Sequence, residues 1–344
     1  MPIEARQLGR NGLMVSAIGL GCMGMSGTYG VADEKESIAT VHGALDAGVT
    51  MLDTADFYGM GHNELLLQKA LAGRQRESYF LAVKFGAMRA PQGNFVGIDT
   101  RPAAVKNFLA YTLKRLGTDY VDLYQPTRVD PNVPIEDTIG AVAEMVKAGY
   151  VRHIGISEAS SATIRRAHAV HPIAALQIEY AIVSRAVEAD ILPTLRELGI
   201  SLVAYGVFSR GLLTGYAPNP ESAAHGDIRA HFPRFQGENL LANQALVGRL
   251  RAIAQRKGIS VAQLAVAWVL SRGKDIIPLV GARRRDQLSE ALGALEVSFS
   301  ADELAAIEKA APIGSVAGDR YGAEQMAVLD SERPATKSST ARNA

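Results

Sequence analysis

The feature that most constrains the fold of this chain is a repeated alternation of short apolar segments with helix-length segments. Each apolar segment is long enough for one strand, and the segments between them show the apolar periodicity of helices. A repeated strand-then-helix order implies parallel strands. The predicted strands are 17–20, 49–55, 78–85, 120–125, 152–157, 174–180, 201–206 and 275–281. The predicted helices are 33–46, 62–72, 102–116, 135–147, 161–170, 187–198, 241–257, 261–271 and 285–293.

Two arrangements of parallel strands fit this order, an open doubly wound sheet and a closed (β/α)8 barrel. The sequence GLGCMG at 19–24 matches the G-x-G-x-x-G pattern of open dinucleotide-binding sheets. Its context fails, because residues 24–30 contain three glycines where that pattern requires a helix. The next strand also arrives about ten residues too late for the acidic residue that holds a ribose. Eight units without a break in composition favour the TIM barrel, preceded by an N-terminal β-hairpin that turns at Asn11-Gly12.

The composition fits one domain of a soluble globular protein. The chain has 344 residues, of which 48% are hydrophobic and 21% charged, with a formal net charge of +1. We expect a single domain over 1–330 and a polar, disordered tail over 331–344. The near-neutral charge argues against nucleic-acid and membrane partners. A single cysteine excludes an internal disulfide, and no signal peptide or membrane-length apolar run is visible, so the expected compartment is the cytoplasm.

Polar residues recur at the carboxyl ends of the predicted strands, where (β/α)8 barrels carry their chemistry. Asp53 ends the second strand, Tyr58 follows it, and Lys84 ends the third. An ammonium near a tyrosine stabilises the phenolate and lowers the pKa, and a carboxylate can hold the lysine in place. Such a tyrosine can protonate a carbonyl oxygen. Taken singly, the lysine could be a solvated surface residue and Asp53 could cap a turn.

The chain resembles the aldo-keto reductases over about residues 6–330. Among the matching segments are LGRNGLMVSAIGLGCMGMS, LDTADFYGMGHNELLLQKAL, VKFG, VDLYQPTRVDPNVPIEDTIG, VRHIGISEAS, LQIEYAIVSR, AYGVFSRGLLTG and IPLVGARRRDQLSEALGAL. The resemblance implies a (β/α)8 barrel that binds NADPH without a Rossmann domain. It also implies that Asp53, Tyr58 and Lys84 are three members of the family's catalytic tetrad. The fourth member is usually a histidine, and Thr127 stands at its position here.

The resemblance also implies a set of cofactor contacts. The first strand and its loop lie beside the cofactor in this family, Ser157 and Gln177 match carboxamide ligands, and Tyr205 matches the aromatic residue that stacks on the nicotinamide. The complete set is Gly21, Cys22, Met23, Asp53, Ser157, Gln177, Tyr205, Gly206, Val207, Phe208, Ser209, Arg210, Gly281, Ala282, Arg283, Gln287 and Glu290.

Three consecutive arginines, 283–285, lie at the start of the last predicted helix. Cations are unfavourable at a helix N-terminus, so the cluster calls for an anion. The 2′-phosphate of NADPH is the expected one, and NADPH is therefore predicted over NADH. The histidines show no ligand spacing, and no metal site is expected.

The leading functional prediction is an NADPH-dependent reductase of aldehydes or ketones, with Tyr58 as the proton donor. One alternative is an alcohol or sugar dehydrogenase that runs the reaction in reverse. Another is a regulatory subunit that binds NADPH and turns over slowly, an idea to which the missing histidine gives weight. The physiological substrate and the oligomeric state stay open.

Overall fold

The computed structural model describes residues 3–10, 12–215 and 226–332. In chain order the strands are β1 (Ala5–Gln7), β2 (Met14–Ser16), β3 (Gly19–Gly21), β4 (Met51–Ala55), β5 (Phe80–Phe85), β6 (Ala87–Arg89), β7 (Phe95–Ile98), β8 (Val121–Pro126), β9 (Val151–Ser157), β10 (Ile173–Glu179), β11 (Ser201–Tyr205) and β12 (Ile276–Gly281). Eight of them are parallel and form a closed barrel in the spatial order β10-β11-β12-β3-β4-β5-β8-β9. This confirms the predicted TIM barrel.

Helices surround the barrel and cover its outer face with apolar side chains. Several begin at caps that the sequence encodes directly. The clearest are Ser260 and Ser300, each of which forms a reciprocal capping box with the residue three positions on. The helices are α1 (Glu34–Asp46), α2 (His62–Leu71), α3 (Pro102–Leu116), α4 (Ile135–Lys147), α5 (Ser161–Val170), α6 (Ile191–Leu198), α7 (Gly237–Lys257), α8 (Val261–Ser271), α9 (Arg285–Leu292), α10 (Ala301–Ala310) and α11 (Ala323–Ala327).

The N-terminal hairpin of β1 and β2 closes one end of the barrel. Leu8 and Val15 are buried against the apolar side chains that fill the barrel interior, among them Phe80 and Leu123. Burying each of the larger side chains contributes roughly 1.5–3 kcal/mol. Because this end is filled, a ligand can enter the barrel only from the carboxyl ends of the strands.

The structure differs from the sequence prediction in its irregular parts. The hairpin of β6 and β7 and the helices α10 and α11 were not predicted, and α6 begins at Ile191 because residues 186–188 form a separate 3-10 turn. Asn11 of the predicted turn and residues 333–344 of the predicted tail lie outside the described residues. No helix in the described part of the chain is long and apolar enough to cross a membrane.

The chain after α10 returns to the open end of the barrel, and we call residues 311–332 the closing segment. Asn243 of α7 holds it by two hydrogen bonds to the backbone of Ala317, of 2.9 and 2.8 Å. Farther along, the carboxylate of Asp330 accepts a hydrogen bond of 2.8 Å from the backbone of Ser160, beside β9. The closing segment therefore lies over the ends of β9, β10 and β11.

Candidate active site

A layer of buried polar side chains lies at the carboxyl end of the barrel interior. Alternate residues of a strand point to the same face, so each strand adds one polar residue above the apolar filling. In register, Lys84 of β5 pairs with Gln125 of β8, and Ser157 of β9 pairs with Gln177 of β10. With Asp53 of β4, these five residues are each at most 4% exposed.

Asp53 is the centre of this layer. Lys84 Nζ donates to its Oδ1 at 2.6 Å, and Gln177 Nε2 donates to its Oδ2 at 2.6 Å. Burial lowers the pKa of Lys84, and the neighbouring carboxylate of Asp53 opposes that effect. A charge pair of this kind is rigid, because each partner would be left buried and unpaired if the other moved.

Tyr58 stands next to this pair. Lys84 Nζ lies 5.1 Å from the centroid of the Tyr58 ring. The loop that follows the tyrosine turns through left-handed backbone at Gly59, Met60 and Gly61, with φ angles of 56°, 54° and 93°. At Gly61 a Cβ would approach Arg115 Cδ to 2.8 Å, so glycine is required there for space as well as for φ.

The pKa of Tyr58 differs from the sequence expectation, which was that Lys84 would lower it. The pKa is raised well above its ordinary value, chiefly because burial penalises the phenolate and next because Asp53 repels it. The ammonium of Lys84 is engaged with Asp53 and does not outweigh these effects. Tyr58 therefore carries its proton at neutral pH, as a proton donor requires.

Three other residues of the barrel end carry buried polar atoms without a hydrogen-bond partner among the described residues. The atoms without a partner are Nε2 and Oε1 of Gln125, the hydroxyl of Thr127 and the hydroxyl of Ser157. Gly155 leaves room for Gln125, because a Cβ there would lie 2.8 Å from its Oε1. Since buried polar groups normally have partners, these atoms leave unused donors and acceptors for water or a polar ligand at this end of the barrel.

The opposite side of the opening is built around Glu158, which is fully buried. Tyr205 donates its hydroxyl proton to Glu158 Oε1 at 2.6 Å, and Arg320 of the closing segment donates to the same oxygen at 2.8 Å. The hydroxyls of Tyr205 and Tyr321 lie 2.9 Å apart. The pKa of Glu158 is lowered to about 2; burial opposes this, and the hydrogen bonds and charge of Arg320 outweigh it.

A second buried carboxylate, Glu179 of β10, holds two further arginines. Arg210 Nη2 lies 3.0 Å from it and Arg234 Nη1 lies 3.2 Å from it. Arg210 lies in the loop that follows β11. Gly206 is the first residue of that loop; its φ is 69°, and a Cβ at this position would lie 3.0 Å from Glu179 Cγ. Ser209 and Arg210 also have positive φ, at 45° and 56°. Strained non-glycine backbone of this kind costs about 1–3 kcal/mol per residue and concentrates at ligand sites.

The remaining predicted cofactor residues line the same end at β3 and β12. Gly281 pairs with Gly21 across these strands, but Cys22 is fully buried in the outer core, and its backbone N–H and oxygen are bonded to Asp53 and Asn63. Gln287 Oε1 accepts a hydrogen bond from the backbone of Arg283 at 3.2 Å. The other residues predicted here, Met23, Val207, Phe208, Ala282 and Glu290, lie in the loops and helix that follow β3, β11 and β12.

The arginine cluster has protein partners. Arg283 donates to the backbone oxygens of residues 29–31, Arg284 pairs with Asp286 and Arg285 pairs with Glu36. The inference that the whole cluster requires a ligand anion is therefore wrong for Arg284 and Arg285, whose charges are met by carboxylates. Within the described residues, no group of three or more His, Cys, Asp or Glu side chains could hold a metal ion.

The sequence prediction missed Arg320, Tyr321 and Arg234. One signal was available, because Glu158 directly follows a buried strand and a buried carboxylate requires a cation. That signal does not identify the cation, which lies 162 residues farther along the chain.

Comparisons with known proteins agree with this geometry. The model of a family described as "Aldo/keto reductase family" matches residues 17–312. A protein named "Probable aldo-keto reductase 1" from Glycine max is 43% identical over 321 residues, covering 93% of this chain and 92% of that protein. A glycerol dehydrogenase structure from Gluconobacter oxydans superposes with a TM-score of 0.80 at 29% identity, covering 90% of this chain and 95% of its own. A thermostable aldo-keto reductase in complex with the inhibitor epalrestat gives a TM-score of 0.71 at 29% identity, covering 90% and 100%.

Proposed function

The chain belongs to the aldo/keto reductase family of oxidoreductases, and from this premise we propose that it uses NADPH to reduce an aldehyde or a ketone to the alcohol. The observation that carries the proposal is the buried Asp53–Lys84 pair beside a protonated Tyr58, at the open end of the barrel. A small carbonyl compound is the substrate class that this family implies.

The residues at the barrel end fit a nicotinamide cofactor. Ser157 offers a buried hydroxyl without a partner among the described residues, and Gln177 keeps its amide oxygen available because its nitrogen is engaged with Asp53. These two groups would hold the carboxamide, and the half-buried ring of Tyr205 would stack on the nicotinamide. Arg283, beside the N-terminus of α9, supports NADPH over NADH. When bound, the cofactor supplies a hydride to the carbonyl carbon.

The chain's own residues supply the proton and bind the substrate oxygen. Tyr58 donates its hydroxyl proton to that oxygen as negative charge develops on it. Lys84, fixed by Asp53, places a positive charge behind the tyrosine and stabilises the phenolate that remains. Thr127, at the position of the family's histidine, can donate one hydrogen bond to the oxygen but cannot supply a proton by titration in the neutral pH range.

The second candidate is an alcohol or sugar dehydrogenase, which is favoured by the structural similarity to a protein named as a glycerol dehydrogenase. Oxidation would use Tyr58 as the base in the same site, so the catalytic residues serve both directions. The proposed use of NADPH, which favours reduction in cells, supports reduction as the main direction. For the compartment we propose the cytoplasm, since the single cysteine is buried and unpaired.

The test is NADPH consumption with a panel of aldehydes and ketones, with Tyr58→Phe measured beside the unchanged enzyme. We expect kcat to fall by about 100- to 10,000-fold in the variant, the range of general acid catalysis, while NADPH still binds. Tyr150→Phe, at a tyrosine 47% exposed on the outside of the barrel, is the matched control. Tight NADPH binding without turnover of any substrate would instead favour the slow regulatory subunit, and turnover with NADP+ and alcohols alone would favour the dehydrogenase.

A further inference from the structure

One arginine at the open end of the barrel lacks a carboxylate partner among the residues that the structure describes. Arg128 is half-buried, and no carboxylate of the described residues lies within 4.0 Å of its guanidinium, whereas its neighbours are all paired. Arg210 and Arg234 lie 3.0 and 3.2 Å from Glu179, and Arg320 lies 2.5 Å from Glu158. A cation removed from water without a counter-charge is unfavourable unless a ligand supplies one.

The carboxylate that acts on Arg128 is already engaged. Burial lowers the pKa of Arg128, but Tyr321, Tyr205 and Glu158 together raise it above its ordinary value. Both carboxylate oxygens of Glu158 accept hydrogen bonds from other residues. Oε1 accepts from Tyr205 and Arg320, and Oε2 accepts from Arg320 and from Ser331. Arg320 is therefore the cationic partner of Glu158. To pair with Arg128, Glu158 would have to lose these hydrogen bonds.

The guanidinium of Arg128 uses only part of its hydrogen-bond donor capacity within the described residues. Its Nη1 donates to the backbone oxygen of Thr127 at 2.7 Å, and its Nη2 donates to the hydroxyl of Tyr321 at 3.3 Å. A guanidinium has five N–H groups in a planar fork that matches two carboxylate or phosphate oxygens. Two of the five are used in these bonds, and both acceptors are uncharged.

Arg128 lies close to the proposed reaction centre. Its positive charge lowers the pKa of Tyr58 and of Lys84, although burial is the larger influence on both groups. It directly follows Thr127, whose buried hydroxyl has no partner in the described part of the chain. The hydroxyl of Tyr321, to which Arg128 donates, lies 2.9 Å from the hydroxyl of Tyr205, the residue proposed to stack on the nicotinamide. The guanidinium therefore lies beside the proposed cofactor and substrate site.

We propose that Arg128 is a specificity-determining residue that binds an anionic group, a carboxylate or a phosphate, carried by the carbonyl substrate. The proposal rests on the proposed function, and it narrows the substrate class to carbonyl compounds with a negative charge near the reacting carbon. The anion forms charge-assisted hydrogen bonds with the guanidinium, and the one donor of Thr127 stays with the carbonyl oxygen of the same substrate.

The test compares substrates in matched pairs that differ in charge. 4-Formylbenzoate is paired with its methyl ester, and glyceraldehyde 3-phosphate is paired with glyceraldehyde. These pairs separate a carboxylate from a phosphate. For the unchanged enzyme we expect kcat/KM to be at least about tenfold higher for the anionic member of one pair or both, the factor that one charge-assisted hydrogen bond supplies.

Variants then assign the preference to Arg128. Arg128→Gln should lower kcat/KM for the anionic substrate by about 10- to 100-fold, mainly through KM, and change the neutral substrate by less than about threefold. Arg128→Lys should recover part of the loss, because it restores the charge without the fork. Arg89→Gln is the matched control; it removes an exposed positive charge near Phe57 and should affect both substrates of a pair equally.

An equal loss for both members of a pair in Arg128→Gln would overturn the proposal, since it would mean that Arg128 only positions Tyr321. A neutral preference in the unchanged enzyme would overturn it as well. If no carbonyl compound is turned over, the proposed function fails, and calorimetric binding of benzoate and inorganic phosphate to the NADP+-loaded protein decides the anion site separately. Binding that is lost in Arg128→Gln but kept in Arg89→Gln would support the site, and binding unchanged in both variants would refute it.

Discussion

The two sides of the barrel opening are built in different ways. On one side, Asp53 and Lys84 project from the neighbouring strands β4 and β5 into the interior and bond to each other. Gln177 reaches Asp53 from β10, across the barrel interior. On the other side, Glu158 directly follows β9 and Tyr205 ends β11. Their partners, Arg320 and Tyr321, come from the irregular closing segment. We call these the strand side and the closing side.

The difference shows what a barrel fixes by itself. The positions of the strand-side residues follow from strand register and parity, so they persist whenever the barrel forms. The closing side needs a segment with little regular structure to return across the opening and stay there. The family model, which ends at residue 312, does not include Arg320 and Tyr321. The matched region therefore contains the whole strand side together with Glu158 and Tyr205, but neither of the two partners that the closing segment supplies.

Replacing Lys84 by Met gives the sharpest test of the strand side. We expect kcat to fall by about 1,000-fold, within the range of acid–base catalysis, because Tyr58 loses the charge behind it and Asp53 is left buried and unpaired. Lys106→Met is the matched control, since the Lys106–Glu144 pair is exposed and such pairs contribute about 1 kcal/mol at most. Steady-state kinetics beside thermal unfolding decide the outcome. A variant that is unstable but fully active when folded would contradict the role assigned to Lys84.

Replacing Arg320 by Met tests the closing side, where stability should change more than chemistry. Glu158 would remain buried without its cation, and breaking such a pair costs about 3–5 kcal/mol. Urea denaturation at pH 7 measures the loss, and kcat with saturating substrate should change by less than about tenfold. A fall in kcat as large as that of Lys84→Met would erase the distinction between the two sides.

Two controls support that measurement. Arg165→Met removes an arginine from an exposed bidentate pair with Glu197 and should cost about 1 kcal/mol or less. The double variant Glu158→Gln with Arg320→Met should recover part of the lost stability, because no buried charge is then left unpaired. If the double variant is as unstable as the sum of the single ones, the two residues act independently.

Much of the fold was predictable because it is periodic. The barrel strands were found from apolar runs, and β10 was predicted at 174–180 and observed at Ile173–Glu179. The hairpin of β6 and β7 was not found, because its residues are largely exposed and show no apolar run of strand length. The start of α6 was also displaced, because the 3-10 turn at 186–188 carries the same local preferences as a helix.

The candidate site likewise contains residues that the sequence predicts and residues that it does not. Asp53, Tyr58 and Lys84 were predicted from strand ends, and the structure brings them together, although their catalytic roles stay predictions. The pKa direction of Tyr58 was wrong, because sequence shows which charges are present but not which partner each charge engages. Arg320 and Tyr321 could not be found, since no spacing rule links residue 158 to residue 320 across an irregular segment.

A buried carboxyl group also distinguishes the two sides by its response to pH. Asp56 lies two residues before Tyr58, on the strand side, and its Oδ1 has no hydrogen-bond partner among the described residues. Burial, and then repulsion from Glu64, raise the pKa of Asp56 to about 7. On the closing side, Arg320 instead helps to lower the pKa of Glu158 to about 2. The two carboxyl groups should therefore shift stability in opposite directions as pH changes.

Because the folded pKa of Asp56 lies above its ordinary value of 3.8, the stability that its protonated form contributes is complete below about pH 4 and is lost as pH rises through about 7. Glu158 has the reverse sign: its contribution is present above about pH 4.5 and is lost as pH falls towards 2. Of these two carboxyl groups, only Asp56 titrates between pH 5 and 8. We therefore expect the free energy of unfolding of the unchanged protein to fall by about 2 kcal/mol over that range, and we expect this decrease to be absent in Asp56→Asn.

The measurement is urea denaturation at pH 5, 6, 7 and 8 for the unchanged protein, Asp56→Asn and Asp99→Asn. The comparison between variants matters because burial lowers the pKa of His153 and His168, so these groups raise stability with pH over the same range. Asp99 is the matched control, since its hydrogen bond with Arg101 lowers its pKa and it stays ionised throughout. If the unchanged protein and Asp56→Asn show parallel pH profiles, Asp56 is already ionised at pH 5, and the strand side then holds a second buried anion beside Asp53.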